Sequence, residues 1–397
     1  MAAIFAAQAG AETILLERTR DGGRKILISG GGRCNVLPMH LDESRFVTDS
    51  SPNVLRKMIR SWPLAQQRAF FEHDLGIALV DEPDAAKVFP ASHRARDVRD
   101  ALLSRAYANG ADLRFNTLVT GLAREGAQWR ISIENGASLD ADAVIVATGG
   151  LSVPNTGSDG FGLNVLAELH HTMHPTYAAL TPMLANNARF SELAGISLPV
   201  SLDARSDNHS ATAHGGFLFT HHGYSGPSVL DVSHVVVRSR REGDASAKVR
   251  VQWTSLNAAG WEEALKPKGV RTVTGALRAE MPDRLASVLL EQAQVDSSRT
   301  LSELRRDERL RLIDTLVRGD LPWNGDEGYK KAEVTGGGVA LSEVDARTME
   351  SKRHQGLFIC GEVLDAFGPI GGYNFLWSWA TGRAAGIGAA HSLGGFV

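Results

Sequence analysis

Cysteine is nearly absent: Cys34 and Cys360 are the only two among 397 residues. Far apart in sequence, they form neither a disulfide framework nor a CxxC metal motif, and a reducing cytoplasm is the expected setting. A flavin disulfide reductase, which needs two closely spaced cysteines, is excluded on the same ground. Long apolar runs are missing too, so no bilayer span is expected. The small apolar start, residues 1–10, lacks a basic leader and is interrupted by Gln8, unlike a secretory signal. Charge of one sign is not in excess: 42 Lys and Arg stand against 45 Asp and Glu, a formal net charge of −3. Such a balance supplies no overall basic field for nucleic acid. The expected partner is a small-molecule substrate, with no nucleic acid and no membrane; a dimer is only a general expectation for enzymes of this size. A GxGxxG turn is also nowhere in the sequence.

What is there is globular. With 43% hydrophobic and 22% charged residues, the chain has enough apolar material for two or three domains. Residues 1–9, rich in alanine with Ile4 and Phe5, predict a helix ended by Gly10. Thr13, Ile14, Leu15 and Leu16 then predict a short buried parallel strand that finishes in Glu17. Helix, glycine, strand and acid form the second half of a βαβ dinucleotide unit, in which the acid bonds the adenosine ribose. In such a unit a glycine turn before the helix brings its N-terminus to a pyrophosphate. The expectation is therefore a nucleotide fold lacking its N-terminal strand and GxGxxG turn, through a misassigned start, trimming or loss.

Residues 21–35 hold two glycine clusters, two basic clusters and a short apolar piece between them. Glycines permit close backbone approach and Arg or Lys neutralises phosphate. Helices are predicted over 64–75 and 97–108, a strand over 113–119, and a hairpin around 129–136 with an Asn135-Gly136 turn. Residues 143–148 read as an apolar parallel strand running into Gly149 and Gly150, the place where a doubly wound sheet presents backbone to a ligand. Leu357, Phe358, Ile359 and Cys360 read as another buried strand, and the segment after Gly372 as a helix. A helix start near Asn374 would aim its positive dipole at developing negative charge. Trp377 and Trp379 fit the core-facing stripe of that helix.

An ordered set of motifs now gives a resemblance. GRKILISGGGRCNV at 23–36, KVFPASHRARDV at 87–98, ATGGLSVPNTGSDGFG at 147–162, FTHHGYSGPSVLDVS at 219–233, AEVTGGGVALSEVDARTMESK at 332–352 and GLFICGEVLDAFGPIGGYNFLWSWATGRAAG at 356–386 resemble the aminoacetone oxidase family of FAD-binding enzymes. These are BaiN-like bacterial NAD(P)/FAD-dependent flavoproteins. The resemblance implies an α/β, Rossmann-like FAD-binding domain with an inserted β-barrel-like plus helical module. The FAD domain would cover 1–182 and 331–397, and the insert 183–330. It implies that Glu17 holds the adenosine ribose, and that Arg24, Lys25, Ser29 and Asn35 line the diphosphate and isoalloxazine side. Val119 would clasp adenine through its backbone, with Thr148 and Gly149 closing over FAD. Gly361, Glu362 and Asp365 would face the ribityl chain and phosphates, and Gly372, Tyr373 and Asn374 the flavin pyrimidine edge.

In the insert, Gln252-Trp253 and residues 229–237 read as strand-like, and 302–317 as a solvated amphipathic helix. The spacing of His170 and His174 suits one helix face, but no HExxH pattern or Cys pair accompanies it, and no metal is expected. His221 and His222 lie in a family-like turn that either moves a proton or orients substrate at the flavin face, or is held by structural hydrogen bonds. The function expected is two-electron hydride chemistry on an unidentified small molecule, as an amine oxidase or an NAD(P)H-dependent reductase. The competing expectations are a flavin-lacking scaffold and a metal hydrolase.

Overall fold

The computed structural model describes residues 1–243 and 247–394. They fall into two compact units, residues 1–176 with 334–394, and residues 177–243 with 247–333.

The first unit is mixed α/β. Ile14–Leu16 pairs in parallel with Asp112–Arg114, and Val144–Val146 pairs in parallel with Leu357–Ile359. Parallel neighbours require crossovers, and the helix Ala95–Ala108 supplies one of them. The predicted strand over 113–119 is in fact two strands, Asp112–Arg114 and Val119–Glu125, because Asn116 sits at φ 52 and turns the chain. Val119–Glu125, Gln128–Ile133 and Ser138–Ala141 form an antiparallel sheet, with Asn135 left-handed at φ 72 in the expected turn. A second small sheet has the order Leu37–Pro38, Lys87–Pro90, Leu79–Glu82. The predicted helix over 64–75 forms as Leu64–Ala69 followed by a wider π turn at Phe70–Asp74.

The core of this unit is organised on the helix Tyr373–Ser392. Trp377 and Trp379 are buried there, each with its indole N–H satisfied, by the Gly361 and Val36 carbonyls respectively. Burying an indole without a partner would cost free energy. The helix Ala2–Gln8 lies close against it: a Cβ on Gly386 would run into the Ala2 carbonyl and stand 3.0 Å from Ala6 N. The alanine-rich start therefore works as a close-packing surface.

The second unit is built on a seven-stranded antiparallel sheet, whose order begins at Gly319–Asp320, runs through Lys248–Gln252, Ser197–Arg205, Ser210–Thr220, Gly223–Ser225 and Met183–Leu184, and ends at Gly325–Asp326. Phe190, Phe217, Phe219, Tyr224 and Trp253 fill its aromatic core. The strand expected at 229–237 is instead the helix Pro227–Arg241. Pro227 at its first turn has a φ suited to starting a helix. Val229, Val232 and Val236 recur at helical spacing and are all buried, so burial outweighs the strand preference of valine. The amphipathic helix near 302–317 forms as Arg306–Arg318.

Candidate functional site

Residues 21–35 fold as a turn, a one-turn helix and a glycine loop. Gly23 is left-handed at φ 67 and starts the helix Arg24–Ile28. Arg24 Nε donates to Asp21 Oδ1 at 2.9 Å and its Nη1 to the Asn155 carbonyl at 3.4 Å. Ser29 Oγ donates to the Ile26 carbonyl at 2.7 Å, closing the helix. Gly30, Gly31 and Gly32 then follow at φ 56, 67 and 84. Three consecutive left-handed residues are a conformation that glycine alone adopts without strain.

Lys25 enters a cluster that no local motif announces. Its Nζ lies 2.5 Å from Ser152 Oγ and 2.5 Å from Glu362 Oε2. Ser152 Oγ donates to Glu362 Oε1 at 2.8 Å, and the same oxygen accepts from Thr335 N at 3.0 Å. Thr335 Oγ1 in turn accepts from Leu151 N at 2.8 Å and Ser152 N at 3.2 Å. Ser152 and Thr335 are fully buried, so the cluster fixes the glycine-rich 147–160 loop against the end of the strand Leu357–Ile359. Arg18 holds the far end of that loop through a close ion pair with Asp159. Gly150 has to lack a side chain, because a Cβ there would overlap Thr335. Thr148 is exposed on this loop and Gly149 is left-handed at φ 74. Sequence reasoning missed Ser152, Thr335, Arg18 and Asp159. Ser152, Asp159 and Thr335 lie in the motif segments and Arg18 ahead of the first, but their pairings span up to 210 residues and leave no spacing to read.

The other expected residues divide by what they hold. Glu17 Oε1 accepts from Thr19 N and Thr19 Oγ1, both at 2.7 Å, at the end of the strand Ile14–Leu16. Val119 pairs with Ile133, beside a bulge ahead of Gly121. Asp365 is almost wholly buried, and its Oδ2 accepts from Thr48 Oγ1, Asp49 N, Ser50 N and Ser50 Oγ, all at 2.9 Å. That carboxylate clamps the 48–50 turn. Asn374 Oδ1 accepts from Gly368 N and its Nδ2 donates to the Gly368 carbonyl, both at 2.9 Å, while Tyr373 Oη donates to the His40 carbonyl at 3.1 Å. With its amide oriented to satisfy both neighbours, Asn35 accepts from Gly372 N at 3.0 Å and donates to the Leu37 carbonyl at 3.2 Å. Asn35 thereby joins the glycine loop to the start of the helix Tyr373–Ser392, which has no side-chain cap.

His221 and His222 belong to the other unit, exposed in the turn between Ser210–Thr220 and Gly223–Ser225. His170 and His174 do not share a helix face: His170 is left-handed at φ 61 after the helix Phe161–Glu168, and His174 lies in the strand Met173–Ala179. Among the described residues no group of His, Cys, Asp or Glu could hold a metal. Burial pushes both thiols up to about 12, Cys34 and Cys360 alike, so neither is a thiolate at neutral pH. No helix among the described residues is long and apolar enough to cross a membrane.

The sequence pattern described as the HI0933-like protein Rossmann domain matches residues 1–388. The chain belongs to this family. It is 29% identical to the ribosomal RNA dihydrouridine synthase of Escherichia coli K12, over 96% of this chain and 92% of that protein. It is also 29% identical to the 3-dehydro-bile acid delta(4,6)-reductase of Clostridium scindens, over 98% of this chain and 96% of that protein. A flavocytochrome c3 fumarate reductase in an open conformation shares the fold, with a TM-score of 0.50 and 17% identity over 98% of this chain and 76% of that one. The family is thus the HI0933-like one, and an aminoacetone oxidase label does not come with it.

Membership makes the protein an FAD-dependent oxidoreductase. The residues fit that cofactor. The HI0933-like chain leaves the Gly30–Gly32 backbone exposed, and Gly371, although buried, faces space in which a Cβ would meet nothing within 4 Å. Beside that space the uncapped helix start presents N–H groups, a ready partner for a carbonyl or a developing negative charge.

Proposed function

We propose that the protein uses FAD to saturate a carbon–carbon double bond conjugated to a carbonyl group. Within the expectation of an amine oxidase or a reductase, the chemistry of the relatives favours the reductase. Making dihydrouridine saturates a ring C=C conjugated to a carbonyl, and a delta(4,6)-reductase acting on a 3-oxo substrate saturates the same type of system. Bound FAD supplies a hydride for such a step.

The observation that carries the reading is the joining of Gly30–Gly32, Asn35 and the Gly372 helix start into one surface. Asn35 fixes the helix start, whose positive end favours the electron-rich, reduced state at the pyrimidine edge. Lys25, held by Glu362 and Ser152, would meet phosphate, and Glu17 would accept from ribose hydroxyls. Ser152 and Thr335 keep the 147–160 loop in place around them. The cofactor residues named from the resemblance are proposed in these roles, except Asp365, whose buried carboxylate is taken up by the 48–50 turn.

The test is anaerobic. The FAD-loaded protein is reduced with NADPH or NADH and then mixed with 2-cyclohexen-1-one or uridine monophosphate. Return of the oxidised flavin spectrum with formation of the saturated product supports the proposal. Reoxidation by oxygen alone, with aminoacetone as the better reductant, would return the function to an amine oxidase.

A further inference from the structure

The motif at 87–98 has no part in the cofactor contacts described above. The strand Lys87–Pro90 lies beside Leu37–Pro38, whose backbone abuts Gly372, and on its other side pairs with Leu79–Glu82. This small sheet therefore carries structure from the helix start to a second polar group. The Arg33 guanidinium sits 4.1 Å over the Phe89 ring, and its Nη1 donates to Glu82 Oε1 at 2.6 Å. His93 Nδ1 lies 3.8 Å from the same oxygen. A Cβ on Gly30 would stand 3.1 Å from Phe89 Cε1, so the glycine loop borders this ring directly. Next to it Gly31 faces open space.

Solvent-exposed ion pairs contribute little stability, and the Arg33, Glu82 and His93 side chains are 42%, 30% and 42% exposed. Stability is thus a poor reason for this arrangement. His93 is moreover left-handed at φ 52, a backbone state costly for a residue other than glycine. Its position turns Nδ1 toward Glu82 and leaves Nε2 for another partner. A histidine whose Nδ1 lies 3.8 Å from a carboxylate oxygen, beside a stacked arginine, brings a proton donor and an oxyanion partner into one place.

We propose that Arg33 receives the carbonyl oxygen of a conjugated substrate and that His93, oriented by Glu82, donates the proton that completes saturation of its double bond. The proposal rests on the double-bond chemistry proposed above. In the step, the C=C π bond breaks as a hydride from the reduced cofactor bonds to the β carbon. The displaced electron pair moves to the carbonyl oxygen, where Arg33 stabilises the enolate. In the same step the Nε2 proton of protonated His93 bonds to the α carbon, so that hydride and proton transfer are linked; the carbonyl re-forms, and solvent reprotonates His93. Substrate gains one hydride and one proton; the cofactor loses one hydride and is oxidised by two electrons.

Two probes separate the parts. On the oxidised FAD-loaded protein, 4-chlorophenolate serves as a non-reacting mimic of the enolate oxygen, read by the change in flavin absorbance. On protein reduced with dithionite, 2-cyclohexen-1-one serves as substrate, read by flavin reoxidation in H2O and D2O. Arg33→Gln and Arg33→Lys should weaken phenolate binding about tenfold or more, at unchanged FAD content. His93→Gln should leave phenolate binding unchanged, slow reoxidation by about a hundredfold and remove its solvent isotope effect. Glu82→Gln, which keeps both partners, should slow reoxidation in the same sense and serves if an Arg33 variant does not fold. Phenolate binding that is absent, or indifferent to Arg33, overturns the oxyanion role; an unchanged rate and isotope effect in His93→Gln overturn the proton role. If phenolate binding depends on Arg33 but cyclohexenone does not reoxidise the protein, the double-bond reading falls, and the His93 role with it, while the oxyanion site stands.

Discussion

Replacing Gly372 with alanine tests the placement of the flavin edge with a single methyl group. Gly372 has φ 90 and ψ −4, a left-handed conformation that costs an L residue about 1–2 kcal/mol. The added Cβ would also run into the Leu37 backbone, lying 2.7 Å from both the Leu37 carbonyl oxygen and Pro38 N. Backbone in a paired strand cannot rotate aside as a flexible side chain can, and overpacking of this kind costs about 1–3 kcal/mol more. The sum is about 2–5 kcal/mol. Part of it would be relieved by pulling the helix start away from Leu37, which would lengthen the Asn35–Gly372 contact of 3.0 Å. The outcome expected is a lower urea midpoint together with weaker FAD binding, measured by flavin fluorescence titration at a urea concentration where the variant is still folded. Gly371→Ala is the matched comparison, since its Cβ meets nothing within 4 Å although its φ is 124. It should cost less stability and yet intrude on the open space beside the helix start. A Gly372→Ala protein with an unchanged urea midpoint would refute the steric reasoning. A destabilised one with unchanged FAD affinity would refute the placement of the flavin edge.

Other outcomes follow from single groups. Glu17→Ala removes the acceptor at the strand end and should weaken FAD binding by about 1–3 kcal/mol; an unchanged titration would confine Glu17 to its turn with Thr19. Because burial raises Cys34 and Cys360 to about 12 from an ordinary 9.0, neither should react with a thiol reagent at pH 8 until the protein is unfolded, as a native-versus-urea titration would show. The same shifts favour the unfolded chain in alkali: their stabilising contribution is intact below about pH 9 and is lost as pH rises toward 12. Burial holds His171 below its ordinary 6.5, with Nδ1 at 3.1 Å from the Leu166 carbonyl and Nε2 at 2.8 Å from Ser351 Oγ. Its contribution is present above pH 6.5 and lost as pH falls through the folded value. His171→Gln should therefore flatten the decline of the urea midpoint below pH 6.5, and a parallel decline in both proteins would remove His171 from the account.

Much of this protein was legible in its sequence because the signals were local. Apolar runs of three or four residues fixed the strands Ile14–Leu16, Val144–Val146 and Leu357–Ile359, and Asn135-Gly136 fixed a turn, since a left-handed backbone favours those residue types. The glycine clusters likewise marked places where the backbone had to be bare. Only the tertiary structure decided that residues 227–241 are helical, because the strand preference of valine is weaker than burial against a sheet. Only it showed that Asp365 is committed to the 48–50 turn, that Lys25 meets Ser152 and Glu362, and that Arg33 and His93 converge on one oxygen of Glu82. Each of those pairings joins segments distant in sequence, and a carboxylate carries no mark of the partner that folding will bring to it.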